Sequence, residues 1–225
     1  MKILGIDTST KNLCLGLYVN GRIFEYSLEV GRSLSSLLVP TIERVMGAAG
    51  LKIADIDFFC CGLGPGSFTG LRIGLAAIKG LSIVRNKPVI EISSLDILAK
   101  NVEIKDRLIV TTLDAKRELI YCSSYKYEKG ILRRKNQYLL LNLNEFIKKF
   151  RRATPVILGD ALALYRNKIL THIKGATVLD KDYWNLNPHN LIMLALAKVK
   201  AGQFSSALTV KPIYLYPKEC QIKIK

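Results

Sequence analysis

The chain has 225 residues, 49% apolar and 23% charged, an ordinary balance for a folded globular protein long enough for one large domain or two small ones. Lys and Arg outnumber Asp and Glu by 34 to 18, a formal net charge of +16. No apolar stretch reaches the roughly 18 residues of a membrane span, and "MKILGIDTSTKN" has no apolar leader, so neither a transmembrane helix nor a signal peptide is expected.

Five cysteines (Cys14, Cys60, Cys61, Cys122, Cys220) include no CxxC pair and read as free thiols of a reducing, cytoplasmic compartment. His172 and His189 are the two histidines, and no Cys/His cluster has metal-ligand spacing, so no metal site is expected. A basic surface favours polyanions such as nucleic acid. The lysines are scattered, however, and a composition rich in Lys and Ile also follows from genome base content. The basic stretches "RLIVTTLDAKR" and "ILRRKNQY" match no nucleic-acid motif.

In chain order, "KILGID" is a short apolar strand, and residues 13–19 alternate as a half-buried one. Asn20–Gly21 is a hairpin turn and "RIFEYSLEV" the third strand of an antiparallel meander. Ser33 is the expected N-cap of a helix to about Ala49, with Pro40 inside it and Gly50 ending it. Residues 56–63 form an apolar strand. A glycine-rich loop and a helix over about 67–85 follow, then the strand "KPVIEI" and a short helix "SLDILAKNV".

The pattern then restarts. "RLIVTTLDA" and "ELIYCSSYKY" read as strands joined by a turn, "GILRRKNQYLL" as a third strand, 143–151 as a helix, 156–158 as a strand and 189–201 as a helix. Two strand–strand–strand–helix units imply a duplicated α/β fold. The expected division is 1–104 and 105–225, with the last helix placed to pack back on the first unit and 218–225 as a tail outside the core.

The loop "CGLGPGSFTGLRIG" admits three readings. Gly64, Pro65 and Gly66 turn the chain, and Ser67 or Thr69 caps the next helix. Alternatively the loop and helix N-terminus grip a phosphate, with Arg72 adding charge. It is neither GxxxxGK[ST] nor a Rossmann GxGxxG. Thirdly, Gly70, Gly74 and Ala77 share one helix face, widened by Ala76 and Gly80, and suit close backbone approach.

"GPGSFTGLRIG" closely resembles the signature of the TsaB family, bacterial subunits of tRNA threonylcarbamoyladenosine biosynthesis. "ILGIDTST", "LLVPTIERVM", "DAKRELIY" and "KPIYL" carry the resemblance from Ile3 to about Leu215. It implies an actin/Hsp70/sugar-kinase fold, ribonuclease H-like, with two packed subdomains on mixed sheets. It also implies a partner that has lost the active site of its relative TsaD. With TsaD and the ATPase TsaE, such a subunit joins a complex that moves a threonylcarbamoyl group from an adenylate to the adenosine beside the anticodon. No cofactor is then expected on this chain, ATP and a metal being used through the partners. The histidine pair of TsaD is missing, and the single histidine common near the start of the first long helix is replaced by Leu34 or Ser35. No Ser/His/Asp or Cys/His set supports a glycoprotease.

The resemblance also implies that the first two long helices pair with those of TsaD, or of a second copy when the chain is isolated. The interface candidates are Leu34, Leu37, Leu38, Ile42 and Met46 on the first helix and Gly70, Leu71, Gly74, Ala77 and Leu81 on the second. Gly74→Leu, or Leu38→Glu if Leu38 lies exposed, would then block partner binding and spare the fold. Asp7, Ser9, Ser67, Arg72, Lys116 and Arg117 are candidates for nucleotide or tRNA contact; for Asp7–Ser9 the alternative is a strand-end turn. Two competing functions are an independent nucleotide-binding ATPase or kinase of the same fold and a direct tRNA-binding module.

Overall fold

The computed structural model describes residues 1–217, apart from the side chain of Arg32; the tail 218–225, with Cys220, lies outside the described residues. The chain forms two compact units. One joins Met1–Ile97 to Leu186–Pro212; the other comprises Leu98–Asn185 and the segment from Ile213. The division therefore falls at residue 97 rather than 104, and the first unit is discontinuous.

The first unit opens with strands β1 (Lys2–Asp7), β2 (Asn12–Val19) and β3 (Arg22–Glu29). Asn20 and Gly21 both take positive φ, as a two-residue hairpin with right-handed twist requires. Helix α1 (Leu34–Ala48), strand β4 (Phe58–Gly62), helix α2 (Phe68–Arg85) and strand β5 (Val89–Ile92) follow. The sheet order is β3-β2-β1-β4-β5; the meander is antiparallel and β1, β4 and β5 run parallel. Leu13, Leu15 and Leu17 of β2 are buried, as the alternation implies, but Cys14 and Gly16 between them are buried too, so both faces are covered.

Ser33 does not cap α1 with its side chain; a 3-10 turn over Gly31–Ser33 leads into the helix instead. Gly50, at φ +66°, follows its C-terminus, and the Leu51 N–H donates to the Met46 carbonyl to close it.

Helix α3 (Ser94–Ala99) precedes the second unit's sheet, built from β6 (Ile109–Asp114), β7 (Leu119–Glu128), β8 (Ile131–Arg134) and β9 (Leu139–Asn142). The expected third strand is thus two strands, both antiparallel to β7 and broken at residues 135–138. After α4 (Leu143–Phe150) come β10 (Val156–Leu158), α5 (Leu162–His172) and β11 (Thr177–Val178). The order β8-β7-β6-β10-β11 repeats the first sheet's order and sense. Phe146, Phe150, Ile157, Leu162, Ile169 and Trp184 join the second unit's core.

Helix α6 (Pro188–Lys200) returns to the first unit and packs across β1, β2, β3 and β5. Gly5 and Gly16, opposite each other in register, make its bed. A Cβ on Gly16 would lie 2.6 Å from Ile192 Cγ1 and 2.9 Å from the Pro188 carbonyl oxygen.

Candidate functional site

The glycine motif meets the end of β1. β1 and β4 are parallel neighbours, so the chain leaves β4 beside the turn Asp7–Thr10. The turn and the start of α2 are joined at several points. Ser67 N donates to the Ser9 carbonyl at 2.7 Å, and the Thr8 hydroxyl donates to the Gly70 carbonyl at 2.8 Å. The Ser67 hydroxyl caps α2 by accepting from Gly70 N at 3.2 Å.

Each glycine has a named obstacle. A Cβ would lie 2.0 Å from Asp7 Oδ2 at Gly62, 2.3 Å from the Ser9 carbonyl oxygen at Gly66, 2.1 Å from the Thr8 carbonyl oxygen at Gly70 and 2.1 Å from Thr8 Oγ1 at Gly74. Real Cβ atoms do not approach that closely. The motif's small residues are therefore fixed by the fit of α2 against the β1–β2 turn. Gly64 is the one motif glycine with positive φ (+87°). Its N–H donates to Ser94 Oγ, and its carbonyl accepts from Ser93 Oγ and Ser94 N.

Asp7 is wholly buried. Its Oδ1 accepts from Ser9 N at 2.7 Å and its Oδ2 from Ser94 Oγ at 2.5 Å. Burial pushes the carboxyl above its ordinary value of 3.8; hydrogen bonds from Ser9 and Ser94 oppose that. Asp7 and Ser9, candidates for a nucleotide or tRNA contact, are both buried: the Asp7 carboxylate and the Ser9 backbone are hydrogen-bonded within the unit, while Ser9 Oγ has no hydrogen-bond partner among the described residues.

The folded Asp7 carboxyl holds its proton more tightly than the unfolded one. Its contribution to stability is therefore greatest at acid pH and declines as pH rises above the unfolded value toward the folded one. Asp7→Asn keeps an acceptor for Ser9 N and removes that slope. Denaturant midpoints between about pH 4 and pH 7 should fall in the parent and run flatter in the variant. An unchanged slope would assign the pH dependence elsewhere.

The helices require a correction. Leu34, Leu38, Ile42 and Met46 of α1, and Gly70, Leu71 and Gly74 of α2, are buried in the first unit. They are core, and Gly74→Leu or Leu38→Glu would damage the fold itself. Of the ten interface candidates, Leu37 is exposed and Ala77 and Leu81 are half-buried. The outer side of α2 is instead the stripe Phe68, Arg72, Ala76, Gly80 and Val84, all exposed and four residues apart. Arg72 lies 3.8 Å over the Phe68 ring. Ile83 and Val84 are 54% and 79% exposed, and Val39 on α1 is 54% exposed. A Cβ on Gly80, or on Gly47 of α1, would meet open space.

The model of the family TsaD: tRNA N6-adenosine threonylcarbamoyltransferase matches residues 28–152, more than half of the chain. The Bacillus subtilis tRNA threonylcarbamoyladenosine biosynthesis protein TsaB is 30% identical over 75% of both chains. The chain belongs to the TsaB family. The Haemophilus influenzae TsaB protein is 27% identical over 96% of this chain and 93% of its own. A crystal structure from Pseudomonas aeruginosa, of a protein similar to peptidase YeaZ, superposes with a TM-score of 0.81 at 23% identity, covering 96% of this chain and 99% of that one. That likeness establishes the fold, with its two mixed sheets of matching order.

In this TsaB chain, Lys116 and Arg117 sit on the exposed β6–β7 turn of the second unit. Lys116, Arg117 and Glu118 all have positive φ, 63°, 51° and 60°, a costly run for residues with side chains. Asp114 holds the turn: its Oδ1 accepts from Lys116 N at 2.8 Å and its Oδ2 pairs with Lys116 Nζ at 2.5 Å. The Tyr216 hydroxyl donates to the Ala115 carbonyl at 2.8 Å. Lys116 is thus engaged locally. Sequence reasoning passed over Ser93 and Ser94, which tie β5 to the glycine loop; a hydroxyl pair directly after a strand was the available signal.

Proposed function

We propose that the chain is the non-catalytic partner subunit of a TsaD- and TsaE-containing assembly that transfers a threonylcarbamoyl group to the adenosine beside the anticodon of tRNA. One observation carries the reading. Where an enzyme of this fold would hold a phosphate, the Asp7 carboxylate accepts from Ser9 N and Ser94 Oγ, the Thr8 hydroxyl donates to the Gly70 carbonyl, and the glycine motif packs directly on the turn. The names of the relatives support the pathway, and the similarity to the TsaD family model is consistent with a TsaD-related role.

The docking face in this reading is the outer side of α1 and α2. Exposed apolar and small residues there suit helix-to-helix packing against a TsaD subunit, and a second copy covers the same face when the chain is alone. ATP and a metal are used by the partners.

Reconstitution tests it. Purified TsaD, TsaE, threonylcarbamoyl-adenylate and tRNA are combined with and without the chain, and modified tRNA is measured. Modification should require the chain, and the chain alone should give none. Full modification in its absence, or turnover by the chain by itself, would remove the proposal.

A further inference from the structure

We propose that the groove between α4 and α5 binds the phosphodiester backbone of a folded RNA. The groove has a volume of about 410 Å³. Lys148 and Arg151 stand on the α4 side, Lys168 and His172 on the α5 side, and Leu143 and Ile147 supply apolar lining. No carboxylate lines it. His172 Nδ1 lies 2.8 Å from the Lys168 carbonyl oxygen.

Some cations elsewhere in this unit have a partner. Arg107 bonds the carbonyls of Thr154, Pro155 and Gly175; Arg166 pairs with Asp180; Lys116 pairs with Asp114; Arg134 lies over the Tyr138 ring. Among the described residues, no ion pair engages Lys148, Arg151 or Lys168. The two acidic residues of the segment 143–174 are occupied elsewhere. Glu145 closes the N-terminal cap of α4 with Asn142, and Asp160 accepts from Asp114 N. The larger groove along α5 differs, since Asp180 and Asp182 share it with Arg166, Lys181 and Lys168, which lines both grooves.

Helix C-termini favour cations. That accounts for a basic last turn on either helix, but not for both helices turning cations into one carboxylate-free groove. A ligand of repeated negative charge offsets the mutual repulsion. The groove lining holds no Phe, Tyr or Trp, and its cations suit phosphate contacts, so backbone recognition without sequence readout is what the chemistry supports.

The proposal rests on the reading of the chain as part of a tRNA-modifying assembly, and its test is separate. Labelled tRNA is titrated with the full chain by fluorescence anisotropy over about 50–200 mM salt. Lys148→Ala/Arg151→Ala/Lys168→Ala should weaken binding at least tenfold at the low end, and should flatten the log–log salt slope by roughly 0.9 per lost phosphate contact. Lys126→Ala/Lys129→Ala/Arg133→Ala, an equal charge change on the β7–β8 hairpin, should leave both nearly as in the parent. An unrelated duplex RNA should compete, and inorganic phosphate at matched ionic strength should not.

Equal losses in the two triple variants, no loss in the groove variant, or no tRNA binding by the parent would overturn the assignment. So would displacement by inorganic phosphate, which would make this a small-anion site. Loss of binding to phosphatidylserine vesicles with tRNA binding intact would make it a membrane surface. If the chain supports modification while the groove variant binds tRNA normally, the groove alone is wrong. If reconstitution needs no chain, the functional reading fails whatever the groove does.

Discussion

Gly70→Val should destabilise the protein by about 3 kcal/mol, the upper end of what overpacking a tight contact costs. The side chain would start 2.1 Å from the carbonyl oxygen of Thr8, a backbone atom that cannot rotate away. Thr8 is itself buried and bonded to the Gly70 carbonyl, so relief needs a shift of the whole turn against α2. At about 2–4 °C per kcal/mol for a chain of this size, thermal unfolding should move down by roughly 6–12 °C. Gly47→Val is the control, because its Cβ meets open space on an exposed stretch of helix. A Gly70→Val protein that melts with the parent would mean that the motif glycines serve something other than this contact.

The second large effect separates folding from docking. Gly80→Arg with Val84→Asp alters the exposed stripe of α2 and touches nothing in the core. Under the proposed docking arrangement, the pair should weaken binding to TsaD by at least 30-fold, equivalent to about 2 kcal/mol for a central interface position. The melting temperature should stay within a few degrees. Calorimetric titration against TsaD measures the first, and a thermal scan the second. Normal binding by this variant would remove the outer face of α2 from the interface. Gly74→Leu is the instructive contrast: a Cβ there lies 2.1 Å from Thr8 Oγ1, so binding and stability should fall together.

Much of this architecture was legible because local chemistry was decisive. The Asn20–Gly21 turn, the alternation of Leu13, Leu15 and Leu17, and the repeated strand–strand–strand–helix order each follow from short-range rules. Helix α5 was hidden for a physical reason. Leu162, Tyr165 and Ile169 mark its buried face, but exposed Leu164 and Leu170 blur the period. The apolar face of α1 was ambiguous for a related one. An apolar face built from Leu34, Leu38, Ile42 and Met46 looks the same whether it meets the helix's own sheet or a partner. Period cannot say which, and the exposed Val39 and Val84 are minor features beside it. Small residues at 70 and 74 did signal close approach. The approaching group, Thr8, lies more than sixty positions away in sequence, and only the β1–β4 register brings it there.

The glycine bed under α6 has a consequence for how the protein is made. The first ninety-seven residues leave the ribosome with Gly5 and Gly16 uncovered, because their lid is encoded at Pro188–Lys200. At roughly 5–20 residues per second, the stretch from Ile97 to Pro212 takes about 6–23 s to synthesise. Until α6 is made the first sheet has strands but no finished core, and by then the strands of the second unit's sheet, which end at Val178, have been synthesised. The first unit's sheet therefore begins before the second unit's sheet and is covered by α6 only after that second sheet has been synthesised. A chain that stops short of α6 leaves a nascent sheet for chaperones to hold.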